Sequence, residues 1–204
     1  KPDIVISTHP FGSQMTSYLK KKNKTKCILA SILTDFAPHD QWLVGNEFID
    51  YFFVAHEEMK YQLIDYGIPS FKVFATGIPV SSRFLRTYDK HEIFNFFKLN
   101  PNKKLILFFG GGEFGLGKER TINIFKYLCQ NTDKYQIVAI SGKNQKMKNS
   151  FENFVTEKNA NDIKIFEYTD KIPELMHISS LVITKPGGLT SSESLASRST
   201  YYSY

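Results

Sequence analysis

The sequence predicts an α/β protein of two Rossmann-like halves, each a doubly wound parallel sheet covered by helices on both faces. Three observations support this prediction. Short runs rich in β-branched and aromatic residues alternate with longer amphipathic runs, several short runs end in glycine- or hydroxyl-rich loops, and the alternation is interrupted near residues 81–103. With 204 residues and 42% hydrophobic content, the chain is long enough to bury a core in each half.

The first half, residues 1–80, contains short apolar runs typical of covered strands and amphipathic runs typical of helices. Gly67 directly follows the second amphipathic run, as expected of a glycine that ends a helix in a left-handed conformation. The predicted strands are residues 3–7, 27–33, 51–54 and 73–76, and the predicted helices are residues 13–22 and 57–66.

The second half, residues 104–204, repeats the pattern after a proline-containing linker at residues 81–103. This linker is expected to hold one short helix near residues 91–97. Both halves have the strand–helix alternation from which a parallel sheet is built. The predicted strands are residues 104–109, 136–141, 163–166 and 181–184, and the predicted helices are residues 118–130, 146–158, 172–178 and 190–196.

The loop before the last predicted helix is the strongest candidate for a ligand site. It contains Gly187, Gly188, Thr190 and Ser191, and Glu193 follows within the helix. Ligands of open α/β sheets bind at the carboxyl ends of strands, free amides at a helix start attract phosphate, and glycine lets a diphosphate approach the backbone. Glu193 would accept two hydrogen bonds from a ribose diol. Thr190 and Glu193 also have the spacing of a capping box, which needs no ligand, and the two roles can coexist.

Two further loops of the second half are phosphate candidates. Residues 110–117 are glycine-rich but lack the lysine and hydroxyl that close a Walker loop, and a tight structural turn explains them equally well. Residues 141–144 add a third loop, in which Lys143 is a cation suited to phosphate. Three such loops at strand ends in one half predict a single ligand held from several sides.

Polar side chains also follow the strands of the first half. Asp35, His39 and Trp42 come after one strand, and His9 comes after another. A carboxylate and imidazoles at neighbouring strand ends can remove the proton of a hydroxyl group by general-base catalysis. The alternative is structural: Asp35 caps the next segment, and His39 is an ordinary surface histidine.

The net charge of +6 is concentrated in one lysine cluster, formed by Lys20, Lys21, Lys22, Lys24 and Lys26. This cluster either contacts an anionic membrane surface or is the solvated C-terminal end of a helix, where the helix dipole favours cations. No nucleic-acid-binding motif accompanies it. No apolar run approaches the roughly 20 residues that cross a bilayer, so membrane contact would be peripheral.

Cys27 and Cys129 lie in apolar segments, as is typical of reduced thiols in the cytoplasm, and no Cys/His spacing suggests a metal site.

Several segments occur in an order and spacing that point to one family. They are KPDIVI at residues 1–6, STHP at 7–10, TDF at 34–36 with His39 and Trp42, TGIPV at 76–80, GGGE at 110–113, SGKN at 141–144 and ITKPGG at 183–188. Together they resemble the monogalactosyldiacylglycerol synthases and processive diacylglycerol glucosyltransferases of glycosyltransferase family 28. The resemblance extends from residue 1 to about residue 196.

The resemblance implies a GT-B architecture with a lipid-acceptor domain (residues 1–80) and a UDP-sugar donor domain (residues 104–204). It implies inverting transfer of glucose or galactose from the UDP-sugar to diacylglycerol at the inner face of the cell membrane, where the enzyme would contact the anionic surface. No metal and no cofactor are implied, because helix N-termini and loops stabilise the departing UDP.

The resemblance also implies roles for individual residues. Uracil would meet the backbone around residues 166–168. On the acceptor side, Asp35 and His39 are the catalytic candidates beside His9 and Trp42, with the main base outside this chain. The implied donor-binding residues are Gly111, Gly112, Glu113, Lys143, Tyr168, Lys185, Gly187, Gly188, Thr190, Ser191 and Glu193.

Compared with that family, the chain is expected to lack a catalytic glycine- and histidine-containing loop before residue 1 and a sugar-binding pair after residue 196. It is therefore expected to be incomplete in both domains and inactive alone. Residues 197–204 do not fit the family's pattern, and a misread end of the reading frame would account for them. Two other functions stay open: N-acetylglucosaminyl transfer to an undecaprenyl-linked peptidoglycan precursor, and a non-catalytic module that binds UDP or a membrane.

Overall fold

The computed structural model describes residues 2–111, 117–158, 160–199 and 201–203. The chain forms two compact units, residues 1–79 and residues 80–204. Each unit contains one sheet, and the strand pairs in both sheets are parallel. The α/β class and the two parallel sheets predicted from the sequence are therefore confirmed.

In the first unit the strands pair in the order in which they occur along the chain, β1-β2-β3-β4. Its core packs Leu29 and Phe52 of the sheet against Met59, Leu63 and Trp42. The strands are β1 (Ile4–Ser7), β2 (Ile28–Ile32), β3 (Tyr51–Val54) and β4 (Val73–Ala75), and the helices are α1 (Pro10–Lys21), α2 (Asp40–Leu43) and α3 (Glu57–Asp65).

In the second unit the strand order is β7-β6-β5-β8-β9. The chain starts at the central strand, adds two strands on one side, and then returns to the other side of β5. The strands are β5 (Lys104–Phe109), β6 (Tyr135–Ile140), β7 (Ile163–Phe166), β8 (Leu181–Thr184) and β9 (Tyr201–Ser203), and the helices are α4 (Lys90–Phe96), α5 (Lys118–Leu128), α6 (Gln145–Lys158), α7 (Ile172–Ile178) and α8 (Gly188–Ala196).

The central strand β5 is buried on both faces of its sheet. Leu105 and Leu107 belong to one apolar cluster with helix α7, whereas Ile106 and Phe108 belong to a second cluster with helices α5 and α6. A strand covered on both faces needs apolar side chains at every position. This is why its sequence is a continuous apolar run rather than an alternating one.

Most element predictions are confirmed, and the differences are local. Helix α1 begins earlier than predicted because Pro10 fits the first helical turn and the His9 imidazole accepts a hydrogen bond from the Phe11 amide. Gly67 has a φ angle of +87°, as a helix-ending glycine requires. Helix α2 and strand β9 were not predicted, because each is too short to show a periodic pattern.

Residues 82–96, which the sequence places in a linker, contribute ordered structure to the second unit. They include a 3₁₀ turn at Ser82–Leu85 and helix α4. Ile93 and Phe97 are buried in the same apolar cluster as Leu105. No helix in the described part of the chain has the length and apolar character needed to cross a membrane.

Candidate active site

The start of helix α8 lies where the strand order of the second sheet reverses. β5 and β8 are neighbours, and the chain leaves β5 in one direction and returns to form β8 on the other side. In open α/β sheets, ligands bind outside the carboxyl ends of the strands at such a reversal. The loops after these two strands, which contain Gly111 and Gly187, are therefore the expected walls of a crevice.

Helix α8 begins at Gly188, and its N-cap residue Gly187 makes no side-chain hydrogen bond. The first intrahelical bond recorded there joins the Ser191 amide to the Gly187 carbonyl, 3.1 Å apart. The preceding amides, from Gly188 to Thr190, lie in the turn whose N–H groups have no intrahelical acceptor. Such amides at a helix start are a candidate binding site for an anion such as a diphosphate.

The backbone conformation at position 187 does not require a glycine. Its φ and ψ angles of −135° and 138° are those of an ordinary extended residue, and a Cβ atom built there would meet nothing within 4 Å. Gly110 differs, because a Cβ atom would lie 2.6 Å from Cε2 of Phe151. Gly110 is thus a packing glycine, whereas the space beside Gly187 is open to a ligand.

Glu193 is half-buried in α8, and burial raises the pKa of its carboxyl group. Within the part of the chain that the structure describes, this carboxylate has no hydrogen-bond or ion-pair partner. The alternative of a capping box is wrong, because α8 starts at Gly188 and Thr190 lies inside the helix rather than at its cap. A desolvated carboxylate without a protein partner is a candidate for binding hydroxyl groups of a ligand.

The loops after β5 and β6 contact each other. The Gly110 amide donates to the Ile140 carbonyl at 2.8 Å, and a Cβ atom on Gly142 would lie 2.9 Å from the Gly111 carbonyl oxygen. Lys143 follows in this loop and is exposed, and Lys185 is partly buried directly after β8. The predicted site residues Gly112 and Glu113 lie outside the described residues.

The loop after β7 carries an exposed aromatic ring. Tyr168 is 78% exposed. The loop is joined to its neighbour because the Ser141 amide donates to the Phe166 carbonyl at 2.9 Å. The Thr169 hydroxyl accepts a hydrogen bond from the Lys171 amide at 3.2 Å, which forms a turn at the start of α7.

In the first unit, Asp35, His39 and Trp42 come together as predicted. The Trp42 indole donates to Asp35 Oδ2 at 3.1 Å, and His39 Nε2 lies 3.5 Å from the same oxygen. His9 lines the same open cavity of about 410 Å³. Asp35 does not cap α2, because the N-cap residue is His39, and so the structural alternative for Asp35 is wrong.

Backbone contacts fix the proton positions of two histidines. The Phe11 amide donates to His9 Nδ1, and the Met59 amide donates to His56 Nδ1, both at 3.2 Å. In the neutral ring the proton is then on Nε2, so His9 Nε2 is a donor rather than a base. His56 Nε2 lies 3.1 Å from the Phe36 carbonyl and supports the loop that carries Asp35.

His56 was missed from the sequence alone. The available signal was its position between strand β3 and the acidic pair Glu57-Glu58, which marks a helix N-cap. Its contact with the loop after β2 joins residues 20 positions apart and leaves no local pattern.

The lysine cluster divides into structural and exposed members. Lys20 forms an ion pair with Asp50, whose carboxylate also accepts a hydrogen bond from the Leu29 amide at 2.7 Å. The Lys20 ammonium group is therefore already paired within the unit, whereas Lys21, Lys22, Lys24 and Lys26 are exposed, and membrane contact by the cluster stays a prediction. Lys20 and Lys21 lie in the last turn of α1, as the helix-end interpretation predicts.

Family models match both units of the chain. The model of monogalactosyldiacylglycerol (MGDG) synthase matches residues 1–80, and that of the glycosyltransferase family 28 C-terminal domain matches residues 105–199. The chain belongs to glycosyltransferase family 28.

Curated relatives are similar along nearly the whole chain. The processive diacylglycerol beta-glucosyltransferases of Bacillus cereus (strain AH187) and Bacillus thuringiensis (strain Al Hakam) are each 36% identical to it over 199 residues. Each match covers 96% of this chain and 48% of the relative. This chain thus spans about half the length of these relatives.

Solved structures show the same fold at low sequence identity. The UDP complex of S. aureus MnaA has a TM-score of 0.75 at 17% identity, covering 98% of this chain and 56% of that chain. UDP-GlcNAc 2-epimerase from Neisseria meningitidis has a TM-score of 0.72 at 17% identity, covering 92% and 55% respectively. The predicted GT-B type of fold is confirmed for this family-28 chain.

Proposed function

We propose that the chain forms part of an inverting, metal-independent glycosyltransferase that transfers glucose or galactose from a UDP-sugar to diacylglycerol at the cytoplasmic membrane surface. The observation that carries this proposal is the half-buried Glu193 in α8, which has no partner among the described residues and lies in the helix that starts at the reversal of strand order. Diacylglycerol is proposed as the acceptor because the family-28 relatives are named diacylglycerol glucosyltransferases.

In the donor unit, the amides at the start of α8 bind the diphosphate, with Thr190, Ser191, Lys143 and Lys185 nearby. These groups stabilise the negative charge that develops on UDP as the bond to the sugar breaks. Glu193 accepts hydrogen bonds from the two ribose hydroxyls, which offset the cost of burying its charge. Gly111 lies on the sugar side, and Tyr168 packs on the uracil ring.

In the acceptor unit, Asp35 is the group best placed to receive a proton. One of its oxygens is held by Trp42, and His39 lies beside it. We propose that Asp35 and His39 orient the acceptor hydroxyl and assist its deprotonation as its oxygen attacks the anomeric carbon, while UDP leaves with the bonding electron pair. His9 contributes a hydrogen-bond donor to the same cavity.

Thermal stabilisation by UDP tests the donor assignment. UDP should raise the melting temperature of the chain, ADP and GDP should not, and Glu193→Ala should remove the effect. Glu157→Ala is the matched control, because Glu157 is an exposed glutamate at the distal end of α6. An equal UDP shift in Glu193→Ala would contradict the ribose assignment.

Product analysis with the complete protein tests the acceptor. UDP-glucose and UDP-galactose are each supplied with vesicles that contain diacylglycerol, and the lipids are separated afterwards. Glycosyldiacylglycerol supports the proposal, and its absence with both donors contradicts it. Transfer from UDP-N-acetylglucosamine to an undecaprenyl-linked acceptor would point to the peptidoglycan reaction, and UDP binding without turnover would indicate a non-catalytic module.

A further inference from the structure

Arg83 connects the beginning of the second unit to the loop after β7. It lies in the 3₁₀ turn Ser82–Leu85. Its Nη2 atom donates a hydrogen bond to the Asp170 carbonyl oxygen at 2.7 Å and lies 3.4 Å from both carboxylate oxygens of Glu174. One guanidinium group thereby holds both the end of the loop and the first turn of α7.

The partners of Arg83 are themselves fixed. The Glu174 side chain is only 13% exposed, and its second cation, Lys171, is 3.8 Å away. The Tyr88 hydroxyl donates to the Arg83 carbonyl at 2.8 Å, which anchors the arginine backbone. Arg83 Nη2 carries two N–H donors, so this one nitrogen can serve a carbonyl and a carboxylate at once, and the guanidinium keeps its charge throughout.

The loop held by Arg83 contains the exposed Tyr168. At one end, the Phe166 carbonyl is bound by the Ser141 amide, and at the other end, the Asp170 carbonyl is bound by Arg83. The peptide groups from Glu167 to Thr169 and the Tyr168 ring lie between these two fixed points. A planar base needs this combination of peptide hydrogen-bonding groups and an aromatic surface.

We propose that Arg83 is a positioning residue for the nucleobase of the donor: it fixes residues 167–170 in the conformation that binds uracil, without contacting the nucleotide. This inference rests on the proposed function, because it assumes that the second unit binds a UDP-sugar. Arg83 and α8 then act on different parts of the ligand, since the start of α8 binds the diphosphate.

The test compares a ligand that has a base with one that lacks it. Arg83→Gln should weaken UDP binding by about fivefold to tenfold, the scale of one lost charge-assisted hydrogen bond, and leave inorganic pyrophosphate binding unchanged. Arg83→Lys should fall between wild type and Arg83→Gln. Arg86→Gln is the control, because Arg86 is exposed and has no ion pair within the described residues. In the complete enzyme, Arg83→Gln should raise the KM for the UDP-sugar with little change in kcat.

The outcomes separate this inference from the proposed function. If the wild-type chain does not bind UDP, both are overturned. If it binds UDP and Arg83→Gln binds equally well, only the role of Arg83 is overturned. Equal loss of UDP and pyrophosphate binding also overturns it, because that result indicates general damage to the unit. If Arg83→Gln does not fold, the same comparison with Arg83→Lys and Glu174→Gln decides.

Discussion

The carboxyl edges of the two sheets offer different chemistry to a ligand. In the second unit the strand order reverses between β5 and β8, and that edge presents the backbone amides at the start of α8, with Lys143, Lys185 and Glu193 on the adjoining elements. In the first unit β1 to β4 pair in chain order, and the described edge carries the side chains of Asp35, His39 and His9.

This difference matches the two halves of a group transfer. A diphosphate is already charged and needs many fixed hydrogen-bond donors, which a helix start supplies without any ionisable side chain. A hydroxyl acceptor needs a group that can take its proton, which only a side chain supplies. Under the proposed function, strand topology locates the anion site, whereas side-chain contacts locate the proton acceptor.

The largest expected effect is a loss of turnover when Asp35, at the acceptor edge, is substituted. Asp35→Asn in the complete protein should lower kcat by about a hundredfold, because an amide cannot accept a proton. The side-chain oxygen still accepts the Trp42 hydrogen bond, so the fold should persist. UDP affinity, measured by calorimetry, should not change, and Asp40→Asn, an exposed acid in the first turn of α2, should behave as wild type. A loss of UDP affinity in Asp35→Asn would show that the two edges do not divide the work in this way.

The next effect separates two glycines of the donor edge. Gly187→Val should preserve the melting temperature, because nothing lies within 4 Å of the added Cβ, but it should weaken UDP binding by about tenfold or more through a clash with the diphosphate. Gly110→Ala should instead destabilise the unit by about 1–3 kcal/mol, because its methyl group would overlap the Phe151 ring. Unfolding curves and UDP titrations on both variants check this contrast. If Gly187→Val bound UDP with wild-type affinity, the assignment of the diphosphate to this loop would be contradicted.

A smaller effect distinguishes members of the lysine cluster. Lys20→Ala should lower the free energy of unfolding by about 1 kcal/mol, because it removes the partner of Asp50, whereas Lys21→Ala should have no measurable effect. Burial alone would raise the pKa of Asp50, but the Leu29 amide and Lys20 lower it below its ordinary value of 3.8. The stabilisation is therefore present above pH 3.8 and is lost as the pH falls through the lower folded value. Denaturant unfolding at neutral and acidic pH measures it, and equal losses for both lysines would contradict the assignment.

The sequence alone predicted the strands and helices better than the contacts between distant side chains. Strands β5 and β8 follow directly from continuous apolar runs, because burial on both faces leaves no polar positions. The start of α8 was placed too late, since Gly187 caps it through its backbone and leaves no capping side chain to recognise. The contacts of Lys20 with Asp50 and of Arg83 with Glu174 join residues 30 and 91 positions apart, and no local pattern encodes such pairs. The order of the strands in each sheet was likewise not predicted, although it is what distinguishes the donor edge from the acceptor edge.

The smallest expected effect concerns the stability of the ligand-free chain, in which the Glu193 carboxylate is half-buried without a ligand beside it. Burial raises the pKa of Glu193 above its ordinary value of 4.5, so the folded chain binds this proton more tightly than the unfolded chain does. A group with a raised folded pKa stabilises the fold below the unfolded pKa, and this contribution is lost as the pH rises through the folded value. Without ligand, Glu193→Gln should therefore melt at the wild-type temperature below pH 4.5 and slightly above it at neutral pH. Glu157→Gln, on an exposed position, should show no such pH-dependent difference. With saturating UDP at neutral pH the order should reverse, because the wild-type carboxylate then gains the ribose hydroxyls as partners. If the two proteins melted together at every pH, with and without UDP, Glu193 would have neither the buried charge nor the ligand contact that sets the donor edge apart from the acceptor edge.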